Sequence, residues 1–203
     1  MKWLQGCAAT ALLVAVMGTG GPAYAGPIAP TDLDTIALGA QVAPTTTDDF
    51  VSPSGADIGD IINKVFLNNG IYTYVHRVIP SINFISELNT AFDVLGFNGI
   101  AGYDFGDATT AGVAFTIEED PDGTLDWESQ GVAGGSWGAG ESIAFFFQSD
   151  LPPGLGDYNL INHTVGAATS YAPQPVPEPM TLAMMGLGLV GLGALRGINK
   201  KSA

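Results

Sequence analysis

The stretch Glu118-Glu119-Asp120-Pro121-Asp122-Gly123-Thr124-Leu125-Asp126-Trp127-Glu128 gathers six carboxylates in eleven residues. Counted from Glu118, acids fall at the first, third, fifth and ninth positions, with Gly123 sixth and apolar Leu125 eighth. Hard divalent cations take carboxylate oxygens at such spacings around a glycine turn. Glu118, Asp120, Asp122 and Asp126 are therefore candidate calcium ligands. The twelfth position, which supplies a bidentate carboxylate in a full calcium loop, is Ser129, and Glu128 comes one residue early. Pro-Asp-Gly is also a favoured hairpin turn, here between Val113–Ile117 and Leu125–Trp127. The readings are compatible, since carboxylates at a hairpin tip can bind calcium weakly.

Two further constellations carry weaker signals. Gly134-Gly135-Ser136-Trp137-Gly138 matches Gly-x-Ser-x-Gly, and Asp150 or Asp157 and then His163 follow in hydrolase order. A nucleophile elbow needs a strand, a sharp turn and a helix, and no helical pattern follows Ser136. Trp127, Trp137, Tyr72, Tyr74 and Tyr103 could stack on sugar rings, although large aromatics more often form core. Paired-carboxylate glycosidase chemistry requires two acids across a cleft, which spacing alone does not reveal. His76 and His163 each fall in an expected strand without a second ligand nearby, and both read as packing or surface residues.

These groups must be positioned by a chain of 203 residues with 20 acidic and 6 basic side chains, a formal net charge of −14. All the acids lie within residues 26–179, opposed there only by Lys64 and Arg77. So few clustered cations exclude nucleic acid as a primary partner. One cysteine excludes a disulfide framework and a zinc ribbon. With 46% hydrophobic residues the chain can build a core despite 28 glycines and 13 prolines.

The apolar pattern of the middle is strand-like. In Ile71–Ile79, Tyr72, Tyr74, His76 and Val78 share one face at period two. Val113–Ile117, Leu125–Trp127, Ile143–Gln148 and Leu160–Tyr171 read likewise. Asn68-Asn69-Gly70, Pro121-Asp122-Gly123, Gly134-Gly135 and Pro152-Pro153-Gly154 supply turns between them. Asp57–Phe66 reads as a short helix. The expectation is an all-β fold, a single β-sandwich or jelly roll over residues 26–171.

Both ends read as address signals. Lys2, an apolar run from Cys7 to Met17 and then Ala23-Tyr24-Ala25 form a secretory signal peptide over residues 1–25, with cleavage after Ala25 by the general secretion machinery. Leu4-Gln5-Gly6-Cys7 is a poor lipobox, because its apolar segment follows the cysteine. Residues 172–179, with four prolines in eight positions, form an extended spacer. Residues 180–195 carry no charge, and Arg196, Lys200 and Lys201 lie in the basic tail, residues 196–203. As a helix, 180–195 would reach ~24 Å against a hydrocarbon core of ~30 Å. The basic tail holds the C-terminus in the cytoplasm and the body outside.

Val176-Pro177-Glu178-Pro179, the apolar helix and Arg196 resemble the PEP-CTERM sorting signal of Gram-negative bacteria. The resemblance covers about 25 residues and implies recognition by exosortase, a membrane cysteine protease. It also implies transient membrane anchoring, delivery to the cell surface or secreted matrix, and a setting rich in extracellular polysaccharide. The phrases Gly70–Tyr74, Ala101–Phe105, Asp120–Trp127 and Tyr158–Asn162 are similar to those of PEP-CTERM ectodomains to which no activity attaches. The function expected is that of an exported, non-enzymatic surface or matrix protein. A glycan- or calcium-binding adhesion module is the alternative, and a secreted hydrolase comes third.

Overall fold

The computed structural model describes residues 26–131 and 136–175, and the protein over this range is predominantly β. The strands are β1 (Gly26–Ile28), β2 (Thr31–Asp32), β3 (Ala40–Gln41), β4 (Thr46–Val51), β5 (Asp57–Asn68), β6 (Ile71–Pro80) and β7 (Glu87–Thr90). They continue with β8 (Phe97–Tyr103), β9 (Val113–Glu119), β10 (Leu125–Gly131), β11 (Ile143–Ser149), β12 (Pro153–Ile161) and β13 (Val165–Pro173). One short helix, α1 (Phe105–Ala111), joins β8 to β9, and a 3-10 turn occupies Leu33–Thr35.

All thirteen strands belong to one sheet, ordered β1-β9-β10-β7-β12-β13-β4-β5-β6-β11-β8-β2, with β3 beside β5. Every pairing is antiparallel except β2 with β8. The two ends of this order, β1 and β2, are consecutive in the chain, so the sheet curls until one short stretch bridges its margins. Gly102 lets β2 approach: a Cβ there would meet the Thr31 carbonyl oxygen at 1.8 Å. Among the described residues no helix is long and apolar enough to cross a membrane.

The concave side is filled by aromatic rings. Phe145 packs edge-to-face on Phe115 at 4.9 Å and lies 5.2 Å from Trp137. Phe147 stacks on Tyr74 at 4.9 Å. Buried rings of this size carry most of the apolar area removed from water. Phe146, between them, faces the opposite side of β11 and joins Val75 and Ala144 in a second apolar cluster. The stretch through Leu33, Ile36 and Leu38 crosses that outer cluster as a strap. A strand covered on both faces is apolar at successive positions, which explains the run Ile143–Phe147.

The expected helix at Asp57–Phe66 is instead the first ten residues of β5. Ile61, Asn63 and Val65 point into the core, while Ile62, Lys64 and Phe66 face the strap. Apolar residues on both faces imitate helical spacing. Leu160–Tyr171 is likewise not one strand but parts of two, β12 and β13, paired from Ile161↔Val165 to Pro153↔Pro173. Pro153 and Gly154, expected in a turn, open β12, and Ala172 and Pro173, expected in the spacer, close β13.

Candidate functional site

The acidic segment folds as the β9–β10 hairpin, with Glu118 opposite Asp126 and Glu119 opposite Leu125. Its turn closes through Gly123 N–H to the Asp120 carbonyl at 2.8 Å and Asp120 N–H to the Thr124 carbonyl at 3.0 Å. Gly123 has φ +83°, a left-handed conformation that a side chain would strain. The Asp122 carboxylate accepts from Thr124 N–H at 3.1 Å and from its hydroxyl at 2.9 Å. Those bonds hold Asp122 below the usual carboxylate range.

Asp126 behaves oppositely. It lies between Glu118 on β9 and Asn89 on β7. Partial burial, then the charges of Glu87, Asp120, Asp122 and Glu118, push its carboxyl up to about 7. Asn89 donates to Glu87 at 2.6 Å, and its own side-chain oxygen is buried without a partner. The hairpin therefore brings Glu118 and Asp126 together in register and adds Glu87 and Asn89. It turns Asp122 back onto its own loop. Among the described residues, no group of three or more His, Cys, Asp or Glu side chains is arranged to hold a metal ion.

A second acidic pair lies on β4 and β5, where Asp49 and Asp60 are directly opposed. Burial, the nearby Asp57 charge and a hydrogen bond with Asp49 raise the Asp60 carboxyl. Like charges in register repel unless a proton or cation lies between them.

The core face of β6 carries a polar centre. His76 is 1% exposed, and burial lowers its imidazole to about 3, so the ring is neutral. Its Nδ1 lies 3.0 Å from both the Asn63 side chain and Ser170 Oγ, and its Nε2 lies 2.9 Å from Tyr158 Oη. Tyr158 donates to the Tyr171 carbonyl at 2.7 Å. With Phe147 and Tyr158 rings beside the imidazole, this is a satisfied structural network with no path for a substrate.

Of the aromatic set, Trp127, Trp137, Tyr74 and Tyr103 are core residues, at most 7% exposed, and only Tyr72 is half-buried. The two tryptophans donate to the carbonyls of Gly102 and Glu141. They present no face to a sugar. Ser136 precedes the isolated bridge of Trp137 with Ile85 and then β11, with no helix behind it. Asp157 accepts from Thr169 at 2.8 Å, and His163 lies exposed in the β12–β13 turn rather than in a strand. Glu87 and Asn89 were not legible as site residues, because β7 has only four residues and no apolar alternation beyond Leu88.

Ala23 and Ala25 of the expected cleavage site lie outside the described residues, as do Val176, Pro177, Glu178, Pro179 and Arg196 of the sorting motif. No family profile matches the chain, and neither does any curated protein or solved structure.

Proposed function

We propose that this is an exported protein of the cell surface or extracellular matrix, delivered by its C-terminal sorting signal and acting by a structural or interaction role rather than catalysis. The observation that carries the reading is an order of segments. Val176-Pro177-Glu178-Pro179, an uncharged stretch of sixteen residues and Arg196 follow directly on a β domain whose last strand ends at Pro173. A Pro-x-Pro sequence disfavours a helix, and an extended strip is what a transpeptidase groove accepts. The curled sheet serves as a sandwich-like scaffold, its two flanks packed face to face across the aromatic core. The acidic surface keeps such a body soluble and repels acidic polymers unless divalent cations bridge them.

The experiment is subcellular fractionation of Glu178→Ala in the native host. The reading requires folded, uncut precursor in the membrane, and deletion of the exosortase-type protease must give the same result. Normal release of Glu178→Ala would refute it. Calcium-modulated adhesion is a second reading, favoured by Glu118 and Asp126 facing each other across the hairpin.

A further inference from the structure

Residues 26–175 hold two side chains of permanent positive charge against nineteen carboxylates, and both line the same cleft. The cleft lies between the strap and the outer faces of β5 and β6. Leu33 and Leu38 form its roof, and Phe66 and Val75 its floor. Ile62 faces Arg77 and Lys64 faces Val75, so Lys64 and Arg77 are diagonal neighbours. Diagonal positions lie about 7–8 Å apart at Cα, within joint reach of long side chains. Arg77 uses Nη1 for Asp107 at 2.9 Å and Ser142 at 3.0 Å. Among the described residues Lys64 makes no ion pair.

The cavity measures about 180 Å³ and its wall is nearly all apolar, with no carboxylate in the lining. An apolar cavity of roughly 150 Å³ is large enough for a benzene ring. Hydroxyl-rich sugars would lose their hydrogen bonds here without replacement. A cation would meet Lys64 and Arg77.

We propose that this cleft binds a small apolar carboxylate, an aryl or short alkyl acid. The hydrocarbon part enters between Leu38 and Phe66, and the carboxylate accepts hydrogen bonds from Lys64 and from the guanidinium edge that Asp107 leaves open. The site lies on the strap side of the sheet, separate from the acidic hairpin, and does not depend on the sorting signal.

Fluorine NMR of para-fluorobenzoate with the full chain tests this, with para-fluorobenzylamine as the control of matched shape. Saturable line broadening is expected with the acid and none with the amine. Lys64→Gln, an exposed substitution, should weaken the acid about tenfold, as for loss of one charge-assisted hydrogen bond. Val75→Phe, which fills the floor, should abolish binding. Equal binding of acid and amine, unchanged binding by a folded Lys64→Gln, or no saturable broadening by the acid would overturn the proposal.

Discussion

His76 Nε2 and Tyr158 Oη stand 2.9 Å apart, and the proton between them belongs to the histidine. The Tyr171 carbonyl can only accept, so its 2.7 Å contact uses the one hydroxyl proton of Tyr158. The neutral ring therefore carries its proton on Nε2 and accepts at Nδ1 from the Ser170 hydroxyl, 3.0 Å away. The Asn63 side-chain oxygen stands 3.0 Å from the same nitrogen and its amide nitrogen faces Thr46 and the Ile61 carbonyl, so this tautomer requires the amide turned end for end from that placement. An amide has nearly the same shape either way. Nitrogen-15 NMR should find the Nε2–H tautomer.

This centre makes the fold acid-sensitive in a defined window. The unfolded chain protonates histidine near pH ~6.5, whereas the folded chain does so only near pH 3. The unfolded state thus binds the extra proton first, and stability falls as pH drops from about 6.5 toward 3. His76→Phe should flatten that slope. It should also lower stability at neutral pH by about 2–4 kcal/mol, because Tyr158 and Ser170 lose a partner. Chemical denaturation across pH checks both effects.

Asp126 works with the opposite sign. Its carboxyl titrates at about 7 in the fold against 3.8 unfolded, so the native state holds the proton longer. That contribution is present at low pH and is lost as pH rises through about 7. Asp126→Asn keeps the shape and removes the charge, and should stabilise the protein above pH ~7 by about 1 kcal/mol after allowing for solvent screening. A thermal melt series from mildly acidic to mildly basic buffer measures it.

Glu118 and Asp126 face each other across the hairpin, and millimolar calcium should raise the melting temperature by about 2–4 °C if it bridges that pair, since a ligand of the folded state alone stabilises it. Asp126→Asn should remove most of that rise. A calcium-independent melting curve would leave the hairpin as a turn stabilised by Asp122 and Thr124.

Much of the strand layout was legible in the sequence, because Val113–Ile117 alternates over one buried face and Ile71–Ile79 is dense in β-branched and aromatic residues, although Thr73 to His76 are all buried. It failed at Asp57–Phe66, where the strap covers the outer face and removes the alternation. It failed again at Leu160–Tyr171, where Asn162–Thr164 turn the chain without glycine or proline. The acidic tip was legible, but Glu87 and Asn89 reach it only through the β7–β10 pairing, a contact between distant segments. The joint cleft of Lys64 and Arg77 was hidden for the same reason, since the β5–β6 register makes them neighbours.

Phe145 is the contact point of the core, with Phe115, Trp127, Trp137 and Tyr103 rings within 6.5 Å. Phe145→Ala should cost about 3–5 kcal/mol, the range for an unfilled aromatic cavity. Guanidinium denaturation gives the value directly.

Export and sorting are the central claim, and intact-mass spectrometry of the protein recovered from its native host tests them most directly. The mass should correspond to a chain that begins at Gly26 and has lost the apolar segment 180–195 with its basic tail. Loss of the same C-terminal segment should disappear when the exosortase-type protease is deleted. Recovery of a chain that begins at Met1, or that keeps residues 180–203 in a host with active protease, would contradict the account.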